Sequence, residues 1–456
     1  MRPNSLPADG RPAAPSPRGL WLLLAASLLA ALAWLSPFLV ANLRLDHRPA
    51  AVQARLAQAQ QGDNDITAIL RAAPAVDLHQ VGHWFGSGSW LDEQGGGPFW
   101  RPLVSLLWWA EYRLWGADLA CYNLLTIGLV ALTGALAAVA MAILCRSLLA
   151  GAGTALFMSW KMGGQLSGIL GWFPAQTDVL AGTWAAAASV LLVLSTRSMG
   201  RRRGSLYGLS LGCYVFASLS KESAIAFPLM AAALLWSELR RGSLRWIGGY
   251  LLAGVGLVVV RTALLGGLGH FLVPLHPGHL LYRALFTLAG TWLGVGLTGW
   301  QAVAAPLLAG VVALVLMRPD LVRRRTVGYG LIVLVPAALI LSARVTTGNP
   351  LVLLVASTWR PLLPGLFFLL CGLLVAWRRP AEAAVLLCTV AAASAQLVLV
   401  RDWLRPHYFY LPAIAWACLD SLAVAAAWEW WTELRASPPR LPAAEGATQR
   451  PERVAQ

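Results

Sequence analysis

The sequence predicts an all-α, polytopic membrane protein, and three observations carry that prediction. Of its 456 residues, 58% are hydrophobic and only 12% charged, about half the charged share of a soluble domain. Apolar runs long enough to cross a bilayer recur along the whole chain. The net charge of +15 is not gathered into a patch, because the basic residues sit in short links between apolar runs. That is the positive-inside pattern, which records orientation during insertion, and it argues against a nucleic-acid partner.

Hydropathy places about twelve spans, near 20–40, 119–145, 149–171, 178–196, 205–220, 222–238, 246–265, 300–317, 327–343, 361–377, 381–400 and 408–431. Segments 99–116 and 285–298 are apolar but short or interrupted, and read as helices lying at the interface. Residues 1–19, rich in Pro, Arg and Ala, are predicted to be disordered, as is the tail 433–456, leaving 20–432 as one transmembrane domain. Arg2, Arg11 and Arg18 ahead of the first long apolar run favour an uncleaved anchor over a signal peptide.

A cytoplasmic N-terminus puts the arginine clusters on one side. These are Arg146; Arg197 with Arg201, Arg202 and Arg203; Arg240, Arg241 and Arg245; Arg318 with Arg323, Arg324 and Arg325; and Arg378 with Arg379. The tail falls on that side too. This parity predicts both termini inside, in a membrane of the bacterial inner or plasma type. The external side holds the long first loop, 43–118, and shorter links at 172–178, 219–223, 266–284, 344–360 and 401–407. All seven histidines lie there (His47, His79, His83, His270, His276, His279 and His407), with most acidic residues outside the tails. Either the outer links are simply longer and more polar, or they form a site.

Four outer clusters are candidates. Asp63-Asn64-Asp65 offers carboxylates for a general base, a metal ligand or a helix N-cap, and the following Ile66 to Leu70 reads as a helix start. Arg101 opens the aromatic segment carrying Trp108, Trp109, Tyr112 and Trp115. Its guanidinium can pair with phosphate oxygens, while the tryptophans suit headgroup anchoring. Asp178 stands at the start of an apolar helix, where a carboxylate complements the helix dipole. In Ser220-Lys221-Glu222-Ser223, a lysine close to hydrocarbon needs a partner or an anionic ligand, and Glu222 is one possible partner. Lysine is otherwise rare: Lys161 and Lys221 are the only two among 35 basic residues.

The remaining signals are weaker. His270, His276 and His279 lack a fixed metal-ligand spacing. Arg405 and His407 precede the last apolar run, where they can hold a lipid phosphate or anchor the helix. The six cysteines, Cys121, Cys145, Cys213, Cys371, Cys388 and Cys418, fall in apolar stretches and read as small buried hydrophobes.

Several of these clusters together resemble one family. Trp100-Arg101-Pro102-Leu103 through Tyr112-Arg113-Leu114-Trp115-Gly116 to Tyr122-Asn123-Leu124-Leu125 is similar to a stretch of the GT-C membrane glycosyltransferases that use polyprenyl-phosphate sugars. The likeness is to the transmembrane and tetratricopeptide-repeat-containing O-mannosyltransferase branch, though no repeat pattern follows the apolar part here. Phe173-Pro174 with Thr177-Asp178, then Leu219-Ser220-Lys221-Glu222 with Phe227-Pro228, then His407-Tyr408-Phe409-Tyr410-Leu411-Pro412 resemble its later motifs. Phe173 stands where that branch has histidine, Asp178 where it has glutamate and His407 where it has arginine. Its paired acids are split here as Asp63-Asn64-Asp65.

The resemblance implies a GT-C fold with a catalytic aspartate in the first external loop, Asp65 matching best and Asp63 next. It also implies a lipid-linked sugar donor, mannose in that branch, bound within membrane lipid, with an acceptor the sequence does not identify. Asp65 would take the acceptor hydroxyl proton, and Lys221, Arg101 and Arg405 would stabilise the leaving phosphate. Asp178 and Glu222 can orient the acceptor or hold a divalent ion; the sequence requires no cofactor. Two alternatives stand beside this reading. One is a transporter or flippase, which needs polar groups along a path through the membrane, where Lys161 is the main ionisable residue. The other is an inactive scaffold of the same fold.

Overall fold

The computed structural model describes residues 15–62, 64–87, 99–163, 167–239, 244–265, 379–399 and 410–436. Among them nearly every residue is helical and no strand occurs. Five helical segments are long and apolar enough to cross a membrane: Pro17–Trp34, Leu119–Cys145, Phe173–Thr196, Leu244–Leu265 and Tyr410–Glu433. The described residues are all-α, with the spanning helices of an integral membrane protein. The predicted spans 300–317, 327–343 and 361–377, and the interface segment 285–298, lie outside the described residues.

The chain opens with α1 (Pro17–Trp34) and α2 (Ser36–Leu43). α1 begins inside the stretch expected to be disordered, because Ser16 Oγ accepts the Gly19 amide at 3.1 Å and Pro17 sits at the first helical position. Pro37 lacks an amide hydrogen, so the helix breaks there and restarts as α2. The described part of the long first loop is itself largely helical, with α3 (Pro49–Gly62), α4 (Asn64–Ala72), α5 (Leu78–Ser87) and α6 (Pro102–Trp115).

The bundle then follows: α7 (Leu119–Cys145), α8 (Leu148–Gly163), α9 (Gln176–Thr196), α10 (Gly200–Ser220), α11 (Phe227–Leu239), α12 (Leu244–Leu265), α13 (Pro380–Leu399) and α14 (Tyr410–Ala436). α8 ends short of its predicted span, and a 3-10 turn at Ser167–Gly171 takes over. α14 continues to Ala436, into the predicted tail.

α9 is the centre of the bundle, packed between α7 and α10 and touching α11 and α14. Its Gly182 allows the closest of these approaches: a Cβ there would come 2.5 Å from the buried Tyr410 ring of α14.

The two ends of the bundle differ chemically. At one end, Arg146 closes α7 in the left-handed conformation (φ 51°), and Ser147 donates its amide to Ala142 at 3.1 Å. Arg197 and Arg379, from two other links, donate to the Leu144 and Cys145 carbonyls at 3.2 and 2.9 Å. Three predicted inside links therefore meet at this end. At the opposite end α4 and α6 form a cap: Ile66, Ile69 and Leu70 pack with Val104, Trp108, Tyr122 and Phe173.

Candidate functional site

That second end carries the charged cluster. The 3-10 turn Phe173–Ala175 leads into α9, so Asp178 lies in the first turn of the helix. α10 stops at Ser220, and Lys221 is extended (φ −155°, ψ 139°) before the 3-10 turn Glu222–Ala226. An extended residue sends neighbouring side chains to different sides, and that separates two adjacent charges. Lys221 Nζ bonds Asp178 Oδ2, and both residues are buried. Glu222 faces the other way: Arg101 grips it with a two-pronged fork, Nε to Oε2 at 2.9 Å and Nη2 to Oε1 at 2.5 Å. Arg261 of α12 approaches the same carboxylate at 3.5 Å.

Five ionisable side chains from four parts of the chain thus converge under the α4–α6 cap. Arg101, immediately before α6, is held by its fork and by the Phe99 ring at 4.2 Å. Thr177 Oγ1 adds a 3.2 Å bond to Asp178 Oδ2. Lys221 therefore bonds Asp178 while Glu222 takes the arginine fork, and Asp178 is more than a helix cap.

Among the described residues the cluster counts three cations against two carboxylates. A divalent cation there would meet Lys221, Arg101 and Arg261 as like charges, so the arrangement suits an anion. A guanidinium fork that fits a carboxylate fits a phosphate equally well. Burying charges is also a poor route to stability, since apolar replacements commonly hold a fold as well or better.

A second polar network adjoins it. Gln176, two residues before Asp178, is fixed at both ends of its amide: Nε2 donates to Glu111 at 2.7 Å and to the Tyr122 carbonyl at 3.1 Å, while Oε1 accepts from Trp108 at 2.7 Å. Burial pushes the Glu111 carboxyl up to about 8, against the opposing hydrogen bond from Gln176. Trp108, expected among the headgroup anchors, is instead fully buried, because its indole has a partner inside.

Asp65 lies half-buried in the first turn of α4. That helix packs through Ile66, Ile69 and Leu70 on Phe173, five residues before Asp178. Asp63, Arg405 and His407 lie outside the described residues, as do His270, His276 and His279. The structure therefore joins Arg101, Asp178, Lys221 and Glu222 and sets the helix of Asp65 against the same turn.

Arg261 was not singled out from sequence; its signal was an arginine inside an apolar run. Glu111 and Gln176 gave no comparable signal, because their importance lies in facing each other across 65 residues of chain.

Beneath the cluster runs an apolar cleft. Ser223 and Ala224, next to Glu222, line one end, and Leu144 and Val193 the other, with Phe227 and Ile414 between. Comparison with known families, curated proteins and solved structures finds no match to this chain.

Proposed function

We propose that this protein is a membrane glycosyltransferase of GT-C type, moving a sugar from a polyprenyl-phosphate donor to an acceptor hydroxyl at the external membrane face. Mannose is the sugar its sequence resemblance favours. The observation that carries the reading is the buried cluster of Arg101, Lys221 and Arg261 with Asp178 and Glu222, next in sequence to Ser223 and Ala224, which line an apolar cleft. A polyprenyl phosphate needs both parts, cations at the membrane boundary for its phosphate and an apolar trough for its chain.

In this reading Asp65 takes the proton of the attacking hydroxyl. The anomeric bond to phosphate breaks as the bond to the acceptor oxygen forms, and the cations stabilise the charge gathering on the departing phosphate. Arg405 and His407 are assigned to the same donor site, Asp63 to support of Asp65, and Asp178 and Glu222 to holding the cations in place. The reading includes about twelve spans, both termini in the cytoplasm and a bacterial inner or plasma membrane.

The test is sugar transfer from a radiolabelled polyprenyl-phosphate mannose by purified protein, offered peptide and lipid acceptors. Transfer by wild type that is abolished by Asp65→Ala, in protein that elutes and melts normally, supports the assignment. Transfer left intact by both Asp65→Ala and Asp63→Ala overturns it.

A transport reading draws on one observation, the buried Lys161–Asp420 pair inside the bundle at 3.3 Å. Flipping of a fluorescent lipid in proteoliposomes, lost on Lys161→Met, would favour it.

A further inference from the structure

The ends of the first external loop meet at another cluster. His47 follows α2, while Asp118 and Cys121 open α7, so residues 71 positions apart adjoin. His47 Nδ1 lies 2.5 Å from Asp118 Oδ2, and Cys121 Sγ lies 3.9 Å from that same oxygen. The three donor atoms all fall within 4.8 Å of one another. The other carboxylate oxygen is engaged separately: Oδ1 accepts from Arg55 at 3.3 Å and from the Ala120 amide at 3.2 Å. One oxygen is thus oriented by the protein, and the other is presented to an imidazole and a thiol. Metal-bound carboxylates are commonly held in this divided way.

We propose that His47, Asp118 and Cys121 bind a borderline divalent metal ion, of the zinc or cobalt kind, which clamps the base of the external loop. Nitrogen, oxygen and sulfur donors together suit such an ion, whereas magnesium and calcium prefer oxygen alone. An ion pair by itself accounts for His47 and Asp118; the thiol in the same cluster is what points to a metal.

Neighbouring ligands of a tetrahedral ion stand roughly 3.3–3.8 Å apart, given metal–ligand bonds of about 2.0–2.3 Å. His47 must therefore retreat by about 1 Å from Asp118 to admit the ion. It is free to do so, being exposed and in the non-helical link between α2 and α3. Asp118, buried and capping α7, stays fixed. Binding releases the Cys121 thiol proton to solvent, and water completes the coordination on the exposed side.

The experiment is a Co2+ titration of the purified, full-length, reduced and metal-stripped protein. The expected result is one equivalent bound, with a thiolate-to-cobalt charge-transfer band that Cys121→Ser removes and Zn2+ displaces. His47→Ala should weaken binding at least tenfold. Independently of any variant, Zn2+ should slow alkylation of Cys121 in wild type at least tenfold, followed by mass spectrometry, and a chelator should restore it. Absence of the band, or a band unchanged in Cys121→Ser, overturns the proposal, as does alkylation indifferent to Zn2+; the His47–Asp118 pair would then be a staple without metal.

Discussion

Lys161 and Lys221 are the chain's only lysines, and each is buried against one aspartate, yet their settings differ. Lys161, in the last turn of α8, joins Asp420 within α14, so both residues of the pair sit on helices. Lys221 reaches Asp178 from a break between two helices, beside Glu222, Arg101 and Arg261. A pair between continuous helices can serve docking and register alone. A pair at non-helical backbone, tied to further charges, has the positioning that ligand chemistry needs.

Charge replacement separates the two settings. Lys161→Met or Asp420→Leu alone should cost about 3–5 kcal/mol by breaking a buried pair. The double variant should recover most of that loss, read as thermal unfolding in detergent. A double variant no better than its singles would give this pair a role beyond matched charge.

The Lys221 pair should answer differently. Lys221→Ala should lower sugar transfer by about 100-fold or more, as for removal of one transition-state donor. Combining Lys221→Met with Asp178→Asn should restore yield and melting temperature without restoring transfer. Full recovery of activity in that double would reduce Lys221 to the same structural class as Lys161.

A third test probes the network supporting Asp178. The Glu111 carboxyl, raised from an ordinary 4.5 to about 8, keeps its proton in the folded protein while the unfolded chain has lost its own. Stability should therefore fall as pH rises from about 5 to 8 and level off above that. Glu111→Gln cannot titrate, so it should flatten this slope and gain on the order of a few kcal/mol near pH 8. Melting temperature against pH for both proteins reads this directly. The smallest effect belongs to α9 itself: Gly182→Ala should cost about 1–3 kcal/mol through its clash with Tyr410, lowering the melting temperature.

Much of the cluster was legible because charged residues at helix breaks are conspicuous in so apolar a chain. Arg101, Asp178, Lys221 and Glu222 announced themselves that way, and the links of Arg146, Arg197 and Arg379, grouped by charge, meet at one end. What the sequence did not carry was pairing. Adjacency suggested Glu222 for Lys221, but one extended residue turns the two side chains apart. Trp108 looked like a headgroup anchor because composition does not reveal that an indole faces Gln176. Arg261 was hidden inside its span, where hydropathy averages one charge away. Asp63, Arg405 and His407 belong to segments outside the described residues, and Asp65 gained a neighbourhood through the contact of α4 with Phe173.

The left-handed Arg146 has a consequence of its own. That backbone position ordinarily favours glycine, and an L side chain there costs about 1–2 kcal/mol. Glycine would relieve that backbone cost, whereas in the proposed topology arginine helps to hold this link on the inside. In that topology the α7–α8 link answers to biogenesis as well as to equilibrium, and Arg146→Gly should increase the share of molecules inserted the wrong way round.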